Sequence, residues 1–105
     1  MKQSLDTIPT REYMPGYRGK MIHTQNMTLA FWQVDEGAAV PEHSHHNEQV
    51  MHVLEGQFEL TVDGKTGVYG PGDLVIIAPD QVHGGKALTA CRLLDVFSPV
   101  REAYR

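Results

Sequence analysis

The sequence predicts an all-β protein of one domain, in which short strands close into a small barrel or sandwich. Short apolar and β-branched runs recur along the chain, separated by turn signals such as Asp63-Gly64 and Pro71-Gly72. No long stretch keeps the period of an amphipathic helix, apart from the last few residues. Many short strands with Gly, Pro and Asp turns are typical of sandwiches and barrels. With 105 residues, the chain can bury a single hydrophobic core.

Composition and charge argue against nucleic-acid and membrane partners. The net charge of −4 leaves no basic surplus to neutralise phosphates, so we expect no nucleic-acid partner. No apolar run is long enough for a membrane span or a signal sequence, so we expect no membrane partner. The single cysteine, Cys91, cannot form an internal disulfide. A buried, reduced thiol fits a cytoplasmic location.

The chain divides into an N-terminal arm, residues 1–19, and a barrel domain, residues 20–105. Prolines and glycines interrupt the first region, and the residue before a proline is pushed towards extended geometry. We expect this region to be an irregular arm that lies across the barrel or across a partner subunit. From Lys20 onwards, branched and aromatic residues indicate strands.

The segment MTLAFWQV predicts a strand with both faces partly covered. Alternation places Leu29 and Phe31 on one face, and Ala30 and Trp32 on the other. Such a strand fits a sandwich whose outer face meets a neighbouring molecule, which favours a homodimer.

The remaining strands follow at regular intervals. QVMHVLEG predicts a strand that ends at Gly56, and QFELTVDG is followed by the hairpin signal Asp63-Gly64. DLVIIAP is a continuous apolar run, which predicts a strand buried on both faces and stopped by Pro79. The segment CRLLDVF predicts the closing strand, and SPVREAYR forms the tail.

A cluster of histidines suggests a metal site. His43 and His45 are separated by one residue, so on an extended backbone their side chains point the same way. Gln49 shares this parity if the strand continues unbroken, whereas His46 faces away. One strand face could therefore offer two imidazoles and an amide oxygen, and His83 is a further candidate donor. Neutral imidazole binds zinc, copper, iron, nickel or manganese.

The spacing around these residues resembles the first motif of the cupin superfamily. The motif begins at Gly37, continues through His43 and His45, and ends at Gly56. Gln49 stands where the motif normally has glutamate.

A second cupin-like motif begins at Gly72 and places its histidine at His83. Its proline falls on Ala78, its second glycine on Asp80 and its asparagine on Ala87. Together the motifs imply a single-domain cupin fold, a double-stranded β-helix or jelly-roll-like barrel. They also imply a divalent transition metal, such as zinc, nickel, manganese or iron. The ligands that the resemblance implies are His43, His45, Gln49 and His83.

Gln49 makes this ligand set formally neutral. A divalent ion held by neutral ligands keeps its full charge, so it polarises a bound oxygen strongly and favours anionic substrates. An iron site that activates oxygen usually includes an anionic ligand. Gln49 therefore favours polarisation or enolate chemistry over oxygen activation.

The closing strand and tail contain a second candidate group. Leu93, Asp95 and Phe97 share one face of the strand, and an aspartate there is costly to bury unless it is paired or functional. Arg101 could bend back towards the open end of the barrel near Asp95 and Phe97. There it could bind a carboxylate through two hydrogen bonds while Phe97 stacks on a sugar face. Asp95 could move a proton. The simpler alternative is an ion pair between Asp95 and Arg101 that holds the tail.

The ending ALTACRLLDVFSPVREAYR, together with the glutamine of the first motif, resembles the KdgF-type cupins of pectin and alginate breakdown. The resemblance covers roughly residues 20–105. It implies a small-molecule sugar-acid substrate, a homodimer, and ring opening with ketonisation of the 4,5-unsaturated uronates that polysaccharide lyases release. It also implies that the residues acting on substrate are Asp95, Phe97 and Arg101.

Two other functional classes fit the same residues. One is a non-catalytic cupin that binds a sugar or a metal, and the other is a different metallocupin, either an isomerase or a dioxygenase. A DNA-binding role is disfavoured by the charge.

Overall fold

The computed structural model describes residues 1–105 and contains ten strands and two short 3₁₀ turns. The strands are β1 (Arg11–Met14), β2 (Tyr17–His23), β3 (Thr28–Val34), β4 (Ala39–His43), β5 (Glu48–Glu55), β6 (Phe58–Val62), β7 (Lys65–Tyr69), β8 (Leu74–Ile77), β9 (His83–Ala87) and β10 (Cys91–Ser98). The 3₁₀ turns are Leu5–Thr7 and Glu102–Tyr104. No helix here has the length and apolar character needed to cross a membrane.

The strands form two antiparallel sheets around one core, which confirms the predicted all-β fold. The six-stranded sheet has the order β1-β2-β3-β10-β5-β8, and the four-stranded sheet has the order β4-β9-β6-β7. Strands distant in sequence lie side by side, as β3 and β10 do, which is typical of a jelly roll. Inward-facing side chains of both sheets fill the interior, among them Leu93 and Phe97 from β10 and Phe58 and Leu60 from β6.

The irregular arm is shorter than the sequence analysis predicted. Residues 11–19 form β1 and the start of β2, and both belong to the six-stranded sheet. Pro15 and Gly16 lie in the turn between these strands, where Gly16 has a φ of 77°. Tyr17 then packs edge-on against Trp32 at 5.4 Å between ring centroids, so its burial holds the hairpin in the sheet. The prolines and glycines thus form a turn within the sheet.

Strand β8 is also different from the prediction. It lies at the edge of the six-stranded sheet and pairs only with β5. Its outward side chains are largely exposed, Leu74 by 62% and Ile76 by 71%, while Ile77 is fully buried. An unbroken apolar run therefore encodes one buried face and one exposed apolar face in this strand.

Turn conformations explain the last glycine of the first motif and one departure in the second. Gly56 has a φ of 86°, and a side chain there would collide with the carbonyl oxygen of Ala90. Asp80, which stands where the motif has its second glycine, has a φ of 66°. Aspartate is one of the few residues that tolerate this left-handed conformation. The turn before His83 is therefore kept without the glycine.

Candidate metal centre and substrate cavity

Three of the predicted ligands meet at one end of the barrel. His43 is the last residue of β4 and lies directly opposite His83, the first residue of β9. His45 follows β4 by two residues, in the bend that leads to β5. One ring nitrogen from each histidine lies within 4.8 Å of the others. His46 is exposed and is not part of this cluster.

Gln49 lies beside the histidine cluster, but it does not share a strand with His43, contrary to the parity prediction. The strand breaks after His43, and Gln49 belongs to β5 in the other sheet. Its side-chain Oε1 nevertheless lies 3.1 Å from Nε2 of His45. The four predicted ligands thus converge from both sheets, and β5 starts in the register that turns Gln49 inward.

The backbone fixes the orientation of all three imidazoles. Each Nδ1 lies within hydrogen-bonding distance of a main-chain carbonyl oxygen, which can only accept. Each Nδ1 must therefore carry the proton, and each Nε2 is left with a free lone pair. The three distances are His43 to Pro41 2.9 Å, His45 to Asn47 3.1 Å and His83 to Gln81 2.8 Å.

These lone pairs fit a divalent cation. Nε2 of His83 is buried and has no hydrogen-bond partner. Nε2 of His45 faces Oε1 of Gln49, so two acceptors lie 3.1 Å apart, an arrangement that a shared cation would stabilise. Burial is the main cause that lowers the pKa of both His45 and His83, which favours the neutral imidazole that metals require. The three-histidine cluster could therefore hold a divalent metal ion.

Asp95 lies next to this cluster on the inner face of β10. It is only 8% exposed, and the indole Nε1 of Trp32 donates to its Oδ2 at 3.1 Å. Its second oxygen, Oδ1, has no hydrogen-bond partner. Burial raises the pKa of Asp95 to about 6, and the nearby Gln49 and Trp32 side chains offset only part of that rise. The carboxyl group is thus suited to exchange a proton near neutral pH.

Arg101 approaches the site without pairing with Asp95. No ion pair joins the two residues, and the guanidinium Nε is buried without a partner. Its central carbon lies 5.9 Å from the ring centre of Phe97 and 5.1 Å from that of Tyr104. The Phe97 ring in turn packs 5.6 Å from His45. The alternative of a simple Asp95–Arg101 ion pair is therefore wrong. The guanidinium has no carboxylate partner, and its charge is one of the causes, after burial, that lower the pKa of His45 and His83.

One cavity borders most of these groups. Its lining includes His43, Gln49, His83, Asp95 and Phe97. Aromatic side chains that the sequence analysis did not select complete its wall, namely Tyr17, Trp32, Phe58 and Tyr104.

Trp32 and Tyr104 had different signals in the sequence. Alternation along β3 places Trp32 on the same face as Ala30, but its hydrogen bond to Asp95 depends on the pairing of β3 with β10. Tyr104 lies in the terminal 3₁₀ turn, which has no apolar period to point it inward. Its ring contacts Phe97, with 5.7 Å between the ring centroids.

The fold and the histidine cluster agree with a family match. The model of the cupin domain matches residues 30–97, so the chain belongs to the cupin family. A relative of known role is the pectin degradation protein KdgF of Dickeya dadantii (strain 3937). The two are 27% identical over 102 residues, which cover 94% of this chain and 93% of that protein.

Two solved structures are similar along nearly the whole chain. An RmlC-like cupin from Shewanella frigidimarina NCIMB 400 superposes with a TM-score of 0.93 and 29% identity, covering 98% of this chain and 94% of the other. KdgF from a Halomonas species superposes with a TM-score of 0.87 and 28% identity, covering 92% and 91%. The chain is thus a small cupin that resembles KdgF.

Proposed function

We propose that this cupin is a metal-dependent enzyme that opens and ketonises 4,5-unsaturated uronates, the sugar acids released by polysaccharide lyases. The observation that carries the proposal is that a neutral ligand cluster and a buried carboxyl with an unpartnered oxygen border one cavity, while the guanidinium of Arg101 packs against the Phe97 ring that lines it. Similarity to KdgF supports the choice of substrate class. We also propose a cytoplasmic location, where the thiol of Cys91 stays reduced.

The proposed ligands of a divalent ion are His43, His45, Gln49 and His83. When bound, such an ion supplies Lewis acidity towards a substrate oxygen. The protein ligands carry no formal charge, so the site attracts an anionic sugar.

The three other residues have distinct roles in the proposal. Arg101 binds the uronate carboxylate, for which a guanidinium offers two parallel N–H donors. Phe97 packs against the sugar and keeps water from its face. Asp95 accepts the proton of the hydroxyl on C1 as the bond between C1 and the ring oxygen breaks. It then delivers that proton to C4, while the former ring oxygen becomes the ketone on C5.

A single carboxyl is sufficient because the reaction is an isomerisation. One proton leaves the C1 hydroxyl and one arrives at C4, so no atom is gained or lost. A group that titrates near neutral pH can serve as base in the first half and acid in the second. The pKa of about 6 for Asp95 matches that requirement.

The first prediction is a direct assay. Added to fresh product of a pectate or alginate lyase, the metal-loaded protein is expected to accelerate loss of the ultraviolet absorbance of the C4–C5 double bond. Metal-stripped protein should lose the acceleration and regain it on reconstitution. If metal-loaded protein changes neither decay rate, the proposed activity is wrong. Tight sugar binding without turnover would instead favour a non-catalytic cupin.

We further propose that the protein forms a homodimer through the outer face of the six-stranded sheet. Most cross-strand partners on this face, from β2 to β8, are apolar. One row consists of Ile22, Leu29, Val96, Val50 and Ile76. The next contains Lys20, Phe31, Leu94, His52 and Leu74, so it is interrupted by two polar side chains. Most of these side chains are half-buried, and Leu74 and Ile76 are exposed. Large apolar patches at a protein surface often mark protein–protein interfaces.

The second prediction tests this dimer. The wild-type protein is expected to have twice its 11.7 kDa chain mass in light scattering, and Ile76→Asp is expected to shift it towards the monomer because a carboxylate would be buried in the interface. Val68→Asp is the matched control, since Val68 is a 56% exposed valine on β7 of the other sheet. A monomeric wild type, or equal effects of both substitutions, would contradict the proposed interface.

A further inference from the structure

Asn47 is a buried polar side chain to which the proposed mechanism gives no role. It lies in the bend between β4 and β5, two residues from His45, and is only 1% exposed. Its Nδ2 donates hydrogen bonds to the carbonyl oxygen of Pro99 at 2.6 Å and to that of Val100 at 3.3 Å. These contacts join the loop that carries a candidate metal ligand to the C-terminal tail.

The amide can adopt only one orientation in this place. Both carbonyl oxygens are acceptors, so the NH₂ group must face them. Oδ1 is then left buried without a partner, which lowers stability relative to a fully satisfied site. An apolar side chain of similar size would avoid this cost, so packing alone does not explain an amide at this position. The two hydrogen bonds from the amide to the tail do explain it.

The tail that Asn47 holds carries Arg101. Arg101 follows Val100 directly, and its own main-chain N–H donates to the hydroxyl of Thr28 at 2.9 Å. Thr28 is fully buried and lies opposite Phe97 in the sheet. The backbone is thus held at two neighbouring points. Asn47 binds the carbonyl groups of the two residues before Arg101, and Thr28 accepts from the N–H of Arg101 itself.

The main chain of Asn47 has a separate task. Its carbonyl oxygen accepts the hydrogen bond from Nδ1 of His45 at 3.1 Å. One residue therefore orients a candidate metal ligand through its backbone and the tail through its side chain. A substitution at Asn47 removes the second contact and keeps the first.

We propose that Asn47 is a positioning residue that holds the guanidinium of Arg101 at a defined place relative to the candidate metal centre. A sugar acid whose carboxylate binds Arg101 is then oriented with its reacting carbons towards Asp95. This inference rests on the proposed function. It extends the site to a residue that touches neither substrate nor metal. It also implies that sugar-acid capture can be weakened while the histidine cluster stays intact.

The test uses Asn47→Ala and three readouts. Hydrogen exchange of residues 98–105 is expected to be faster, because the tail loses two hydrogen bonds. Zinc affinity is expected to stay within about threefold of wild type, because the carbonyl that orients His45 is kept. In the ultraviolet assay, KM is expected to rise about tenfold or more with kcat little changed, the pattern of lost uniform binding.

Two further variants sharpen the result. Ser98→Ala removes another tail contact, from the Ser98 hydroxyl to the carbonyl of Asn26 at 3.1 Å, and is expected to leave KM and zinc affinity unchanged. In the background of Arg101→Ala, adding Asn47→Ala should raise KM little further, since both substitutions remove the same interaction with the substrate carboxylate. Multiplied losses would overturn the inference.

Other outcomes are equally decisive. Unchanged tail exchange in Asn47→Ala refutes the inference, and so does a loss of zinc affinity as large as the rise in KM. If Asn47→Ala does not fold, Asn47→Asp keeps the side-chain shape while removing the donor, and the same readouts apply. A wild type without uronate activity refutes the proposed function alone. Faster tail exchange with retained zinc affinity would then still support the role of Asn47 in holding the tail.

Discussion

Asp95→Asn is expected to lower kcat for uronate ketonisation about 10²–10⁴-fold, the usual contribution of a positioned acid or base. The amide keeps an oxygen that can accept from Trp32 Nε1, so the geometry of β10 is preserved. It cannot take up the proton of the C1 hydroxyl or deliver one to C4. KM is expected to change much less than kcat, since Arg101 still binds the carboxylate. The measurement is the decay of ultraviolet absorbance under saturating substrate.

Loss of activity in Asp95→Asn is not expected to come from unfolding. The carboxyl of Asp95 is buried, and burial raises its pKa by disfavouring the charged form. A neutral amide removes that penalty, so the melting temperature of the metal-free variant should not fall below wild type. Zinc affinity provides the second control, because Asp95 is not among the proposed ligands. A variant that keeps wild-type turnover would show that another group moves the proton.

The grouping of the candidate site could be predicted from the spacing of the sequence motifs, but not from strand parity. Two motifs in register selected His43, His45, Gln49 and His83, and the structure brings these four side chains together. Strand parity would place Gln49 beside His43 and His45 only if one unbroken strand carried all three residues. In the structure the chain bends after His43 and enters the other sheet, and Gln49 turns inward in the register of β5. Motif spacing encodes the final position, whereas strand parity holds only within one strand.

The misplaced elements share a physical cause. Local pattern shows that residues such as Leu74 and Ile76 favour a strand, but it does not show whether a neighbouring strand covers them. The same limit applies to residues 11–19, where Pro15 and Gly16 form a hairpin turn inside the sheet. Edge position and pairing are long-range properties that depend on which distant strands meet.

The hydrogen-bond partners of the proposed catalytic groups could not be predicted from the sequence for a related reason. The hydrogen bond from Trp32 to Asp95 joins residues that are 63 positions apart in the sequence. Asn47 and Pro99 are separated by 52 positions. Each side chain is unremarkable in its own segment, and its role follows only from the pairing of β3, β5 and β10. The apolar or aromatic character of a residue predicts burial, but not the polar group that it meets.

His83→Ala is expected to remove both metal binding and catalysis. His83 supplies a buried Nε2 with no partner in the protein, and its backbone contact to Gln81 already fixes the ring. Without it, only two histidines and a neutral amide are left, and loss of one ligand from such a set weakens binding strongly. Zinc affinity should fall by about 10²-fold or more, and the ultraviolet decay should return to the uncatalysed rate.

His46→Ala is the matched control for this prediction. His46 lies next to His45 in sequence but is exposed and outside the cluster, so metal content and turnover should equal wild type. Equal losses in both variants would mean that the histidine stretch binds metal at the surface. Retained activity in His83→Ala after its metal is lost would mean that the carboxyl of Asp95 and the guanidinium of Arg101 catalyse the reaction without an ion. A selective loss in His83→Ala would tie the reaction to the site at which the two sheets meet.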